Sequence, residues 1–208
     1  MKLEPVTLSG TLARLEPLSR THVEALSQVG LAPELWRFNP RPPLTSREDM
    51  AFYVEQALVQ QASGCALPFA TIEARSGQVV GSTRFHTLEP EQPRIEIGYT
   101  WVAPAWQRTG INVEAKYLML RHAFEVMGCI RVELKTDALN ARSRAAILRI
   151  GATEEGTLRH HMVTASGRLR DSVYFGIVAT EWPLVRARLE ERLSEIREYT
   201  RPLPLGDG

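Results

Sequence analysis

The sequence predicts a mixed α/β (α+β) fold in which one central, mostly antiparallel sheet of about seven strands is flanked by helices. Three strand-like runs with short gaps occupy residues 67–103, strand and helix patterns alternate over residues 94–178, and no linker-like stretch divides the 208 residues. Short connections favour antiparallel neighbours, whereas a strand–helix–strand unit favours a parallel pair. We therefore expect a single domain over residues 1–208.

The first half of the chain begins with one strand and two helices. Residues 11–18 alternate apolar and polar side chains, as a half-buried strand does. The second helix follows a start signal at Thr45 or Ser46, with acids in its first turn, and stops at Gly64. The predicted elements are a strand at 11–18, a helix at 21–30, a loop at 36–44 with three prolines, and a helix from 45 or 46 to 63.

The rest of the chain is a meander followed by an alternating region. Ser76-Gly77 and Ser166-Gly167 are turn signals between consecutive strands. The predicted elements are strands at 67–74, 79–88 and 94–103, a helix at 112–127, a strand at 131–137, a helix at 141–150, strands at 152–163 and 168–178, and a C-terminal helix at about 181–199. Residues 201–208 are expected to fray.

Composition and charge exclude several classes of protein. Hydrophobic residues make up 44% and charged residues 24%, which is typical of globular domains and not of disordered chains. Lys and Arg number 25 against 24 Asp and Glu, so the basic excess of a nucleic-acid-binding protein is missing. The sequence shows no signal peptide and no apolar run of about 18 residues that would span a membrane. Cys65 and Cys129 are too few for a disulfide framework, and no clustered ligands predict a metal site. We expect a soluble, cytoplasmic protein without nucleic-acid, membrane or metal partners.

The most informative segment is residues 94–127, where a strand leads through a proline-containing loop into a long apolar helix. Gly110 stands before that helix, and a glycine there lets the backbone fold closely around an anion. The first-turn N–H groups of a helix have no intrahelical partner and lie at the positive end of its dipole, which suits a pyrophosphate. No Gly-Lys-Ser/Thr follows, so this is not a Walker loop. A glycine that only caps a core helix is the alternative.

Three motifs in register resemble the GNAT N-acetyltransferase superfamily. Gln107-Arg-Thr-Gly110-Ile-Asn112, after a strand ending in Gly-Tyr-Thr-Trp-Val, resembles its acyl-CoA pyrophosphate loop, with Asn112 where Gly or Ala is usual. Asn140-Ala-Arg-Ser143, followed by Ile150-Gly151-Ala152, resembles the second motif of the family. The segments that resemble the RimJ/RimL branch, which acetylates protein N-termini, are Asn112–Lys116, Glu155–Arg159 and Arg170–Phe175. The resemblance covers nearly the whole chain and implies a sheet splayed around its fourth and fifth strands.

The resemblance implies direct acyl transfer from an acyl-CoA to a primary amine on a protein N-terminus or a small molecule. Acetyl-CoA is the expected donor. The tetrahedral oxyanion needs a hydrogen-bond donor, which a backbone N–H near Trp101 or Val102 could supply. The pantetheine arm of the donor can pair with the strand at 94–103 like an added edge strand. Asn140 and Ser143 would contact this arm. The residues implied to hold the pyrophosphate are Gln107, Arg108, Thr109, Gly110, Ile111 and Asn112.

The resemblance leaves the proton transfers open. Ile147 stands where many members have a tyrosine thought to protonate the leaving thiolate, so solvent or the Ser143 hydroxyl would have to serve. The attacking amine arrives as ammonium and needs a base. We expect Glu96, in the strand that borders the cleft, to be that base; the alternative is a strand residue in a cross-strand pair. His161, or its neighbour His160, is a second candidate because imidazole has a suitable pKa.

The residues that would bind the acceptor amine are predicted from their positions along the chain. Trp36 and Asn39 lie in the proline-bounded loop that caps the acceptor pocket in this family; packing onto the core is the alternative. Arg159 could attract an acidic acceptor or acyl group, or pair with a carboxylate. The amphipathic C-terminal helix could contribute to a homodimer. Two further hypotheses are the same fold with another donor, such as succinyl-CoA, and a non-catalytic acyl-CoA-binding module.

Overall fold

The computed structural model describes residues 4–89 and 91–200, and its elements follow the predicted order with one short strand added. The elements are β1 (Leu8–Ser9), β2 (Ala13–Pro17), α1 (Val23–Gly30), α2 (Arg47–Ala62), β3 (Ala66–Glu73), β4 (Val79–Glu89), β5 (Arg94–Val102), α3 (Ile111–Arg121), β6 (Arg131–Asp137), α4 (Ala141–Arg149), β7 (Thr153–Val163), β8 (Leu169–Val178) and α5 (Trp182–Thr200). A π-helical turn at His122–Val126 extends α3. The predicted frayed tail at 201–208 lies outside the described residues.

The strands form one sheet in the order β1-β2-β3-β4-β5-β6-β8-β7. Neighbouring strands are antiparallel except for β5 and β6, which run parallel on either side of the α3 crossover. The mixed, mostly antiparallel sheet is thereby confirmed. The eighth strand is β1, whose two residues are too few for an alternation to show in the sequence.

Different helices cover the two faces of the sheet. α3 and α5 pack on one face, where Phe85 and Phe175 are fully buried. α1 and α2 cover the other face near β3 and β4, with Met50 and Val54 fully buried. Farther along that second face, β6 and β8 carry polar side chains, among them the cross-strand neighbours Lys135 and Tyr174. None of the helices within residues 4–89 and 91–200 combines the length and the apolar character needed to cross a bilayer.

β5 and β6 diverge shortly after they begin. They pair only between Arg94–Glu96 and Arg131–Glu133, although β5 runs on to Val102. β5 contains a bulge where it pairs with β4, because Tyr99 and Thr100 together lie opposite one residue and Tyr99 has a left-handed φ of 52°. A bulge bends its strand and increases the local twist. Beyond Glu96 a cleft therefore separates β5 from β6, which confirms the predicted splay.

Candidate active site

A loop held by its own side chains joins the end of β5 to α3. Gln107 Nε2 donates to the carbonyl of Val102 at 2.9 Å, and Gln107 Oε1 accepts from Arg142 Nη1 of α4 at 2.6 Å. Thr109 Oγ1 donates to the carbonyl of Trp106 at 2.7 Å. Gln107 thus connects the open end of the cleft to α4. These bonds hold the loop against the end of β5 and against α4.

α3 begins at Ile111, with Gly110 as its N-cap residue, so a helix N-terminus lies at the predicted phosphate position. Gly110 has a φ of 88° and Arg108 a φ of 67°, both in the left-handed region. A Cβ on Gly110 would lie 2.8 Å from Ile196 Cγ2 and 2.9 Å from Leu12 Cδ1. The left-handed φ therefore favours glycine here, and the packing of α5 and the β1–β2 turn against the loop adds to that preference. The first-turn N–H groups of α3 keep no intrahelical partner.

The donor set at this helix end fits a pyrophosphate. Asn112 is the second residue of α3, and its buried Oδ1 has no hydrogen-bond partner in the described structure. The backbone N–H groups of Ile111 and Asn112 are free, and helix N-termini with such donors bind phosphate oxygens.

Asn140 and Ser143 shape the start of α4. Asn140 is the N-cap residue, and its Oδ1 accepts from the Ser143 backbone N–H at 3.1 Å. Ser143 is half-buried one turn before Ile147. Ile147 is only 8% exposed and belongs to the core between α4 and the sheet, so this position offers no proton donor. A pantetheine contact for Asn140 and Ser143 stays a prediction.

Glu96 lies on the polar face of the sheet, with its side chain 4% exposed. Its Oε2 accepts from Lys135 Nζ at 2.9 Å, and its Oε1 lies 3.3 Å from His86 Nε2. Burial alone would raise the pKa of Glu96, but the nearby His86 imidazole and Lys135 ammonium outweigh burial and lower it. Burial opposes the Lys135 ammonium as well, yet Glu96 raises the pKa of Lys135. The cross-strand pair given above as the alternative is present, and the role of Glu96 as a base stays a prediction.

A second ion-pair cluster lies at the end of β6. The buried Asp137 carboxylate accepts from Arg168 Nη2 and lies 3.8 Å from Arg170 Nε. Arg170 Nη1 also donates to the carbonyl of Phe38 at 3.4 Å, which ties the 36–44 loop to β8. These side chains form cation–carboxylate pairs. Within residues 4–89 and 91–200, no group of three or more His, Cys, Asp or Glu side chains is arranged to hold a metal ion.

The two histidines of β7 lie at a bulge where three residues, 159–161, stand opposite Asp171 of β8. His160 has a φ of 50°, and its N–H donates to Asp171 Oδ1 at 2.7 Å. His161 Nδ1 lies 3.0 Å from Ser172 Oγ, and its Nε2 lies 3.5 Å from the Tyr174 hydroxyl. His161 therefore belongs to the polar face that also carries Lys135, whereas the side chain of Arg159 is exposed and makes no hydrogen bond or ion pair within the described chain.

The predicted acceptor loop is anchored in the core between the sheet and helices α1 and α2. Trp36 is 5% exposed, donates from Nε1 to the carbonyl of Gly30 at 2.8 Å, and packs 5.8 Å from the ring of Trp101. This arrangement matches the packing alternative, and a substrate role for Trp36 stays a prediction. Asn39 is half-buried, and its Oδ1 accepts from the Arg41 N–H at 3.0 Å.

Sequence analysis did not identify two buried cations beside the β5 bulge. The Arg84 guanidinium is fully buried and stacks 3.9 Å over the Tyr99 ring at the bulge. Lys116 is buried under the bulge, where its Nζ donates to Thr100 Oγ1 at 2.5 Å. The sequence signal that could have identified such a residue is a charge within an otherwise apolar run, as with Lys116 in α3. Their partners follow from the register of β4 and β5, which the sequence pattern does not specify.

Comparison with known proteins assigns a family to this geometry. Residues 13–153 match the family model described as an acetyltransferase (GNAT) domain. YdaF of Bacillus subtilis (strain 168), named as a ribosomal N-acetyltransferase, is 33% identical over 106 residues. That alignment covers 51% of this chain and 57% of YdaF, so the match spans little more than half the length of this relative.

Solved structures share the fold over most of the chain. A GCN5-related N-acetyltransferase from Brucella melitensis has a TM-score of 0.85 at 31% identity, covering 92% of this chain and 86% of that one. RimJ of Mycobacterium smegmatis, in complex with CoA-disulfide, has a TM-score of 0.80 at 24% identity, covering 92% and 97% respectively. At 24% identity the likeness to RimJ is a likeness of fold.

Proposed function

Because this chain belongs to the GNAT acetyltransferase family, we propose that it transfers an acetyl group from acetyl-CoA to a primary amine. The observation that carries the proposal is the cleft between β5 and β6, which has the N-terminus of α3 at its open end. β5 has no β6 partner beyond Glu96, so an extended thioester arm can pair with it as an added strand. The phosphate end of that arm would reach the N–H groups of residues 110–112.

The acyl carbon would lie beside the bulged part of β5. Trp101 and Val102 are buried, with only 6% and 8% of each residue exposed. Their backbone lies in the part of β5 that borders the cleft. A backbone N–H here would stabilise the tetrahedral oxyanion. The amine attacks the carbonyl carbon, a C–N bond forms, and the C–S bond to CoA breaks.

The acceptor amine would approach over the polar face that carries Glu96. The lowered pKa of Glu96 keeps its carboxylate ionised at neutral pH, so the carboxylate attracts the ammonium form of the acceptor. Glu96 accepts the proton of that ammonium directly or through water. His161, bound to Ser172, is the second candidate. The name of YdaF favours a protein N-terminal amine as the acceptor over a small amine.

The 36–44 loop and the β7 bulge would form the rim of the acceptor pocket. The Arg170 bond to the carbonyl of Phe38 holds this loop against β8, which supports a wall built by Trp36 and Asn39. Arg159, exposed at the bulge, would meet an acidic group on the acceptor.

The test has two stages. Isothermal titration with acetyl-CoA, succinyl-CoA and free CoA measures whether the site binds CoA and which acyl group it prefers. Release of the CoA thiol is then followed with short peptides that have free N-termini and with a panel of small amines. Tight binding of acetyl-CoA with turnover of a peptide supports the proposal. Binding without turnover of any amine would indicate a non-catalytic module, and no binding of the three ligands would rule out the site.

A further inference from the structure

A buried lysine lies beneath the cleft with no carboxylate among its polar contacts in the described chain. Lys116 lies on α3, about 7.5 Å along the helix from Ile111, and is 6% exposed. Its Nζ donates to Thr100 Oγ1 at 2.5 Å and to Thr83 Oγ1 at 3.3 Å. Glu114, the neighbouring acid of α3, accepts instead from the backbone N–H groups of Leu12 and Ala13. The groups that face Lys116 from β4 and β5 are these two hydroxyls.

This environment is unfavourable for a purely structural ammonium. An unpaired buried charge is costly, and burial lowers the pKa of Lys116 to about 7. The protonated and neutral forms are therefore both accessible near neutral pH.

Thr100 connects Lys116 to the cleft. It lies in the β5 bulge, beyond the last residue that pairs with β6, and it is exposed. A thioester arm that starts at the α3 N-terminus and pairs back along β5 from Val102 passes Thr100 after about 7 Å. The Thr100 hydroxyl thus lies on the path of the arm and in contact with a buried ammonium.

The reaction needs a proton at this point. The leaving CoA thiolate must be protonated, and Ile147 leaves the usual position of the donor apolar. We propose that Lys116 and Thr100 form a proton relay that protonates the sulfur of the leaving CoA. The inference rests on the proposed acyl transfer and assigns the general acid of that reaction.

The relay moves one proton from Lys116 through the Thr100 hydroxyl to the sulfur. When the C–S bond breaks, its electron pair goes to sulfur, and the Thr100 hydroxyl proton moves to that sulfur to give the CoA thiol. Thr100 Oγ1 takes a proton from the Lys116 ammonium, which becomes a neutral amine. After CoA leaves, the exposed Thr100 hydroxyl passes a proton from solvent back to Lys116. An acid with a pKa of about 7 can protonate a thiolate whose thiol has an ordinary pKa of about 8.5.

The decisive test changes the leaving group. Wild type, Lys116→Met and Thr100→Val are compared with acetyl-CoA and with acetyl-seleno-CoA, whose selenol is much more acidic and departs without a proton donor. The nucleophile is the best amine from the acceptor panel, with hydroxylamine as a small probe that needs no base at pH 7. Both variants are expected to lose about 100-fold in turnover of acetyl-CoA and less than about tenfold with the selenoester.

Two variants serve as controls for charge and for shape. Lys116→Arg keeps a positive charge but cannot act as an acid, and it is expected to be as slow as Lys116→Met. Thr100→Ser restores a hydroxyl and is expected to recover turnover to within about threefold of wild type. Titration with acetyl-CoA and thermal unfolding show whether each variant is folded and binds the donor.

The pH profile gives an independent readout. The rate of thiol release by wild type is expected to fall above about pH 7, because Lys116 then loses its proton. This descending limb should disappear in Lys116→Met and persist in Thr100→Ser, which keeps the hydroxyl in contact with Lys116.

Three results would overturn the relay. They are equal losses with the thioester and the selenoester, full activity of Lys116→Arg, or wild-type turnover by Lys116→Met. If a variant fails to bind acetyl-CoA, the remaining variant of the pair decides the question by the same leaving-group comparison. Wild-type protein that binds acetyl-CoA but releases no CoA with any nucleophile would refute the proposed function itself.

Discussion

At the scale of single residues, the Glu96 carboxylate and the Lys135 ammonium form the charged centre of the polar face of the sheet. Their atoms are 2.9 Å apart, and the Glu96 side chain is 4% exposed. The pKa of Glu96 lies below its ordinary value of 4.5 because His86 and Lys135 outweigh the effect of burial. A carboxyl with a lowered pKa stabilises the fold above its unfolded pKa, and this contribution is lost as the pH falls through the folded pKa.

Replacing Glu96 with Gln tests its role in proton transfer. Glu96→Gln is expected to lower kcat by about 100-fold while acetyl-CoA affinity changes by less than about twofold, because the donor site does not include this residue. The measurement is steady-state turnover together with titration calorimetry. Glu133→Gln is the matched control, since Glu133 lies opposite Glu96 in the parallel pair and binds Arg94 and Arg131. Parallel losses of turnover and of acetyl-CoA affinity would indicate a structural role.

The same substitution tests the pH dependence of stability. At pH 7 Glu96→Gln is expected to lower the free energy of unfolding by about 1–2 kcal/mol, because Lys135 loses its partner in a partly exposed site. The difference from wild type should shrink toward pH 4, where the Glu96 carboxyl of the unfolded chain begins to be protonated while the folded one is still ionised. Urea unfolding at both pH values measures it. A difference that grows on acidification would contradict the lowered pKa.

The junction of β5, the loop and α3 is the element on which the proposed donor binding depends. Gly110 has a left-handed φ, and the space where its Cβ would lie is taken by Ile196 and Leu12. The sequence correctly predicted a glycine-led helix start here. The reason for the glycine differs in part, because side chains of α5 and of the β1–β2 turn also occupy the space beside this residue.

A pair of glycine variants separates these effects. Gly110→Ala is expected to destabilise the fold by about 2–4 kcal/mol and to weaken acetyl-CoA binding, because both the strained φ and the crowding act. Gly167→Ala is the matched control: its φ of 80° is similar, but nothing lies within 4 Å of the added Cβ, so only about 1 kcal/mol is expected. Thermal unfolding and calorimetry measure the two variants. Equal effects of the two would show that crowding at Gly110 is unimportant.

Element boundaries were predictable where a local signal was strong. The start of α2 is a capping box in which Ser46 Oγ accepts from the Asp49 N–H and the Asp49 carboxylate accepts from the Ser46 N–H. That signal is contained within four residues, so the sequence alone reveals it. The bulges at Tyr99 and His160 were not predictable, because a left-handed φ at a non-glycine residue is imposed by pairing with neighbouring strands.

At the scale of the whole molecule, the fold exposes one of the two cysteine thiols and buries the other. Cys65 is exposed, whereas Cys129 is buried, and burial raises its pKa to about 11. A single thiol per chain is therefore expected to react rapidly with Ellman's reagent in the native state, and both in guanidinium chloride. Cys65→Ser should abolish the fast phase. Rapid reaction of both thiols in the native protein would show that the region between α3 and β6 is open.

The sequence by itself determined the order of the helices and strands, the glycine-led start of α3 and the family, because periodicity, caps and the 107–112 motif act over short stretches of chain. Tertiary structure decided which partners the chemical groups have. Glu96 meets Lys135, Lys116 meets Thr100, and Trp36 packs on Trp101, although 16 to 65 residues separate the members of these pairs. Such contacts depend on strand register and on bulges, since a shift of one residue turns each side chain to the opposite face of the sheet.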